Sequence, residues 1–141
     1  MSVDRSRIES LVRELIIAIG EDPNRAGLEQ TPARVADAYA EFFSGVGEGP
    51  GAPLGRAVSI ADADGHDVVV SGAVMLRDVQ FRSVCEHHLL PFVGTAHIAY
   101  LPGAQVVGLG ALPRVVDVLA SRPQGQARLG EQIADALARR S

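Results

Sequence analysis

The sequence predicts an α+β protein in which N-terminal helices are followed by an antiparallel hairpin and a pair of helices. Three observations carry this. Apolar residues recur at three-and-four spacing near both ends, β-branched residues alternate in the middle, and turn-forming residues separate the two patterns. At 141 residues the chain has one domain's length, enough to bury a core without cross-links.

The first helix is expected over residues 4–19, with Ile8, Leu11, Val12, Leu15, Ile16 and Ile19 on one face and Gly20 as its stop. Such a stripe serves core or oligomer contact. The run from Glu21 to Gly27 is turn chemistry. Thr31 and Pro32 then read as N-cap and first position of a second helix, which carries Val35, Ala38, Tyr39, Phe42 and Phe43 and ends near Ser44-Gly45. Five Gly and two Pro between Gly45 and Gly55 predict a linker or loop. The acidic stretch from Asp62 to Asp67 lacks the spacing and later glutamate of a calcium loop and is expected to be a polar turn holding a solvated His66. Two strands are expected, Val68 to Val84 and Gly94 to Leu101, with a bulge near Arg77-Asp78 where the alternation of Val74 and Leu76 slips to Val79 and Phe81. His97 lies within the second strand and is expected to have a structural or exposed role. Residues 111–121 and 124–140 read as two helices parted by Pro123, and Arg139 and Arg140 as solvated charge at the end of the second.

Composition narrows the function. The net charge is −4 and the basic residues form no stripe, which argues against nucleic acid. No apolar run is long enough to cross a membrane. A single cysteine and an N-terminus without a leader pattern point to a reduced, cytoplasmic protein. All 13 basic residues are Arg, so no lysine is present for Schiff-base chemistry.

The one dense reactive cluster is Cys85-Glu86-His87-His88, followed by Leu89-Leu90-Pro91-Phe92. Thiolate and imidazole are preferred zinc ligands, and Cys85 and His88 can face one point if the backbone makes a single turn. Glu86 and His87 beside a metal would then be parts for metal-assisted hydrolysis. The spacing alone is equally compatible with a partly buried turn whose cysteine acts as a small hydrophobe and whose histidines bond locally.

The stretch VQFRSVCEHHLLPFVGTAHIAYLP, Val79 to Pro102, resembles the signature of the GTP cyclohydrolase I family. So do Glu21 to Leu28 with Thr31 to Val35, and Val106 to Leu109 through Arg122-Pro123-Gln124. The resemblance implies that Cys85 and His88 bind Zn2+, that His87 transfers protons with Glu86 beside it, that Gln126 borders the pterin-forming pocket, and that Arg114 contacts phosphate. It implies hydrolytic opening of the guanine imidazole ring of GTP, giving 7,8-dihydroneopterin triphosphate and formate. The pattern is broken at Gly110-Ala111, where the family has Ser-Lys, and at Ala127, where it has a guanine-gripping glutamate. The family's closing strand pair, with its third zinc ligand, is expected to be missing, leaving Cys85 and His88 with another chain, Glu86 or His87 to complete the metal shell.

The resemblance also implies a tunnelling fold with sites between subunits, of which this chain would supply a partial unit. The expected division is an N-terminal helical segment (1–45), a Gly/Pro-rich linker and turn (46–67), and a partial tunnelling-fold domain (68–141). An unpaired strand edge motivates a homo-oligomer, or a hetero-oligomer with a full-length homologue. Two other readings remain beside the enzyme: a catalytically impaired paralogue acting as a structural or regulatory subunit, and a repurposed enzyme on a smaller purine-like substrate.

Overall fold

The computed structural model describes residues 3–49, 51–55, 59, 64–66, 68, 72–102 and 105–139. Helix α1, Arg5–Ala18, starts where the Asp4 carboxylate accepts the backbone N–H of Arg7 at 3.0 Å, and Gly20 follows it with a left-handed φ of 90°. Ile16 is its one buried residue, and Leu15 and Ile19 are 58% and 69% exposed. The predicted apolar stripe is therefore only partly used, against α2, Thr31–Phe42. Gln30 takes the cap position of α2, so Thr31 is the first helical residue and not the cap expected from sequence. Its hydroxyl donates back to the Gly27 carbonyl, while Pro32, which has no N–H to leave unpaired, occupies the buried second position.

In the Gly/Pro-rich stretch a short helix, α3 (Gly51–Leu54), lays Leu54 into the core against α4. Strands β1, Val74–Cys85, and β2, Pro91–Tyr100, form the expected antiparallel hairpin with somewhat different limits. Val68 lies outside β1, and residues 69–71, expected to belong to the first strand, are outside the described residues. β2 begins at Pro91 because the ladder continues through Ser83↔Phe92 and Val84↔Pro91, and a first-position proline removes little from a ladder. The bulge falls where the alternation slips: the register breaks between Leu76 and Val79, and Asp78 has φ 62°. Asp78 N–H donates to His97 Nδ1 at 3.2 Å, which gives that strand histidine its structural role.

After β2, the Tyr100 hydroxyl accepts from the Val107 N–H at 3.0 Å and tethers the chain on its way into α4, Ala111–Ala120. Leu112, Val115, Val116 and Leu119 of α4 are at most 1% exposed and form the centre of the core. Leu76, Val79, Phe81, Ala96, Ile98 and Tyr100 of the hairpin pack on it from one side. From sequence, Pro123 is expected only to break the chain between two helices, with the last helix starting at 124. Instead Pro123–Gln124 form β3, pairing parallel to β1 at Val84 and Cys85, and α5 runs over Gln126–Ala138. The sheet is thus mixed, ordered β2-β1-β3. Pro123 fits because it is the first residue of a strand and no ladder N–H is required of it. Among the described residues no helix is long and apolar enough to cross a membrane.

Candidate functional site

The reactive cluster sits in the connection between β1 and β2, where the chain must reverse within five residues. It does so as a single helical turn: Leu89 N–H donates to Cys85 O at 2.8 Å, and Cys85 N–H to Leu90 O at 2.8 Å. Leu89 closes the turn with φ 54°, a left-handed conformation that costs a non-glycine residue about 1–2 kcal/mol. One turn of helix places residues three apart on the same side. Accordingly Cys85 Sγ and His88 Nδ1 face each other at 3.8 Å. Tetrahedral zinc with its sulfur at about 2.3 Å and its nitrogen at about 2.0–2.1 Å separates the two donors by about 3.6 Å, so the pair fits the span as well as the chemistry of such an ion. Among the described residues no three His, Cys, Asp or Glu side chains converge on one point, and the pair alone supplies two donors.

His87 points away from that pair. Its side chain is 74% exposed, its ring lies edge-on to that of His88 with centroids 6.3 Å apart, and its Nε2 is 3.7 Å from Glu86 Oε1. An imidazole open to solvent and backed by a carboxylate can take up or deliver a proton at a bound molecule. Glu86 is more enclosed, at 29% exposure, because its other carboxylate oxygen is ion-paired with Arg128 of α5.

That ion pair belongs to a network which pins the turn to the start of α5. Arg128 Nε donates to Gln124 Oε1 at 3.2 Å, and its Nη2 to Pro123 O at 2.9 Å. Gln124, fully buried, donates from Nε2 to Leu119 O and to Gln132 Oε1, each at 2.8 Å. Glu86 N–H donates to Gln124 O at 3.1 Å. Each polar group of the buried glutamine side chain is thus used, as burial demands. Sequence reasoning missed Gln124 and Arg128 as site-shaping residues. The available signal was a glutamine and an arginine four apart at the beginning of a helix, which is weak without knowledge of what faces them.

The remaining expected site residues are elsewhere. Gln126, exposed at the start of α5, lines an apolar groove of about 460 Å³ between β2 and α5, with Phe92, Ile98, Leu129 and Ile133; none of residues 85–88 lines it. Arg114 projects from α4 and donates from Nε to Gly110 O at 3.1 Å. Ala111 is buried in the first turn of α4 and Ala127 is exposed in the first turn of α5.

The model of the GTP cyclohydrolase I family matches residues 8–141. The chain is 58% identical over 132 residues to the GTP cyclohydrolase 1 of Leifsonia xyli subsp. xyli, covering 94% of this chain and 66% of that protein. It is 52% identical over 133 residues to the GTP cyclohydrolase 1 of Rhodopirellula baltica, covering 94% of this chain and 55% of the relative. Against the GTP cyclohydrolase 1 of Corynebacterium aurimucosum it is 52% identical over 136 residues, 95% of this chain and 65% of the relative. The chain therefore spans somewhat more than half, and less than two thirds, of the length of these curated relatives.

Proposed function

The chain belongs to the GTP cyclohydrolase I family, and from that premise we propose that it takes part in the hydrolytic opening of the guanine imidazole ring of GTP, yielding 7,8-dihydroneopterin triphosphate and formate. The observation that carries this reading is the 3.8 Å approach of Cys85 Sγ to His88 Nδ1 with the solvent-exposed His87 beside it. Cys85 and His88 would hold zinc, which when bound supplies Lewis-acid activation of water. His87 moves a proton between the opening imidazole ring and solvent, and Glu86, with Oε1 3.7 Å from its Nε2, helps to orient the ring. Arg128, by holding Glu86, limits how far that carboxylate can swing. Gln126 and Arg114 are the proposed contacts for the base and the phosphates. Residues 68–141 carry all of these groups, with 1–45 as a helical segment and 46–67 as the connection. We place the activity in the cytoplasm, in a homo-oligomer whose neighbouring subunit or longer homologue completes the metal shell.

The test is to incubate the chain with GTP and zinc and to measure the fluorescent pterin after oxidation, with zinc per chain determined in parallel. Product above blank is expected, falling about 10²–10⁴-fold in His87→Ala with zinc retained. In Cys85→Ala both zinc and product should be lost. No product from the wild-type chain, alone or mixed with a longer homologue, rejects the reading.

Gly110, Ala111 and Ala127 favour a second reading, a structural or regulatory paralogue, because the resemblance expects groups there that grip triphosphate and guanine. Under it, the chain co-assembles with an active homologue and changes that enzyme's size or regulation while making no pterin itself.

A further inference from the structure

Away from the Cys-Glu-His-His turn, a second cavity of about 450 Å³ opens between α3, the end of α4 and the end of α5, lined by Gly51, Leu119, Arg122, Gln132, Asp135, Ala136 and Arg139. Arg122 donates from Nη2 to the Glu48 carbonyl at 3.0 Å. Its Nε is buried with no acceptor among the described residues. Neither guanidinium lies within ion-pairing distance of a carboxylate among the described residues, although Asp135 shares the cavity wall. An arginine cannot shed its proton, so partial burial without a counter-charge leaves an unmet demand for an anion. Burial pushes the Arg122 pKa down, the direction expected of a cation deprived of solvent. Gln132 adds to the same wall. Its Oε1 is occupied by Gln124, which leaves the amide N–H groups as its remaining function.

We infer that this cavity binds a small organic anion, its carboxylate or phosphate head held by Arg122 and Arg139 and taking amide protons from Gln132. The local charge supports an anion, since two guanidiniums outweigh one carboxylate. The volume exceeds what a bare oxyanion fills, and Leu119 and Ala136 give an apolar wall for the body behind the head. The site is independent of the proposed catalysis and is tested by binding alone.

The probes are phenyl phosphate and benzoate, which share a ring and differ in the head, titrated calorimetrically into the full chain. Saturable one-site binding of at least one probe is expected, and the preferred probe identifies the head group. Arg139→Ala and Arg122→Gln should each weaken it about tenfold or more, whereas Arg77→Ala, which removes an equal charge from exposed β1, should change it less than twofold. Arg139 is exposed at the end of α5, so its variant keeps the test decisive if Arg122→Gln fails to fold. No saturable binding of either probe at millimolar concentration, or binding that survives Arg139→Ala unchanged, overturns the inference.

Discussion

Two single residues at helix N-termini show the same demand for negative charge, one unmet and one met. Ala127 stands exposed in the first turn of α5, where partial positive charge from unpaired backbone N–H groups welcomes a carboxylate. Ala127→Glu restores the group the resemblance expects for guanine, and a charge-assisted hydrogen bond there is worth about 1.5–3 kcal/mol. If the proposed guanine site includes this position, GTP binding tightens about tenfold or more, read by equilibrium titration; unchanged affinity would remove Ala127 from that proposed site. Asp4, the cap of α1, shows that demand already met. The backbone N–H of Arg7, helped by the Ser6 hydroxyl, holds its carboxyl below the usual carboxylate range. The folded pKa is therefore below the unfolded one, so the stabilisation is present above the unfolded value and fades as pH falls through the folded value. Asp4→Asn should flatten the acid-side pH dependence of α1 fraying, measured by amide exchange over Arg5 to Ile8. The Cys85 and His88 pair was legible at this scale because a helical turn brings together residues three apart, whereas Arg128 was not, because its partner Glu86 is remote in sequence.

At the scale of elements, the joints carry as much information as the elements. Gly45, just after α2, is buried and donates its N–H to Ser121 O at 2.9 Å. A Cβ there would come within 2.0 Å of the Val118 carbonyl oxygen, which is backbone and cannot step aside. Gly45→Ala is expected to lower stability by about 1–3 kcal/mol, the usual cost of overpacking, with chemical denaturation as the measurement. No change would mean that the α2–α4 joint opens freely. The helices and the hairpin were readable because amphipathic periodicity and alternation are local, and the bulge at Asp78 was readable from the slip in that alternation. β3 was hidden: two residues carry no periodicity, and only the neighbouring Val84 and Cys85 make Pro123 and Gln124 a strand.

For the whole molecule, the question is what covers the apolar surface that folding leaves. Leu11, Leu15 and Ile17 of α1, Ile19 just after it and Val93 of β2 are all at least half exposed. Beyond the pairing at Val84 and Cys85, the free edge of β1 has no ladder partner among the described residues. Association through these surfaces is the expected outcome. Sedimentation should give a mass that is a multiple of the 14.8 kDa chain, and Leu11→Glu with Leu15→Glu should shift it downward. A wild-type chain that sediments as a monomer at all concentrations would contradict the oligomeric proposal. By itself the sequence determined the α+β class, the order of helices and hairpin, and the turn that unites a thiol and an imidazole, since each depends on interactions between residues close along the chain. Only the tertiary structure decided the parallel β3, the anchoring of Glu86 by Arg128 and Gln124, and the pairing of Arg122 with Arg139 in one cavity. Those depend on segments far apart in sequence meeting around α4, a geometry set by packing and not by any local pattern.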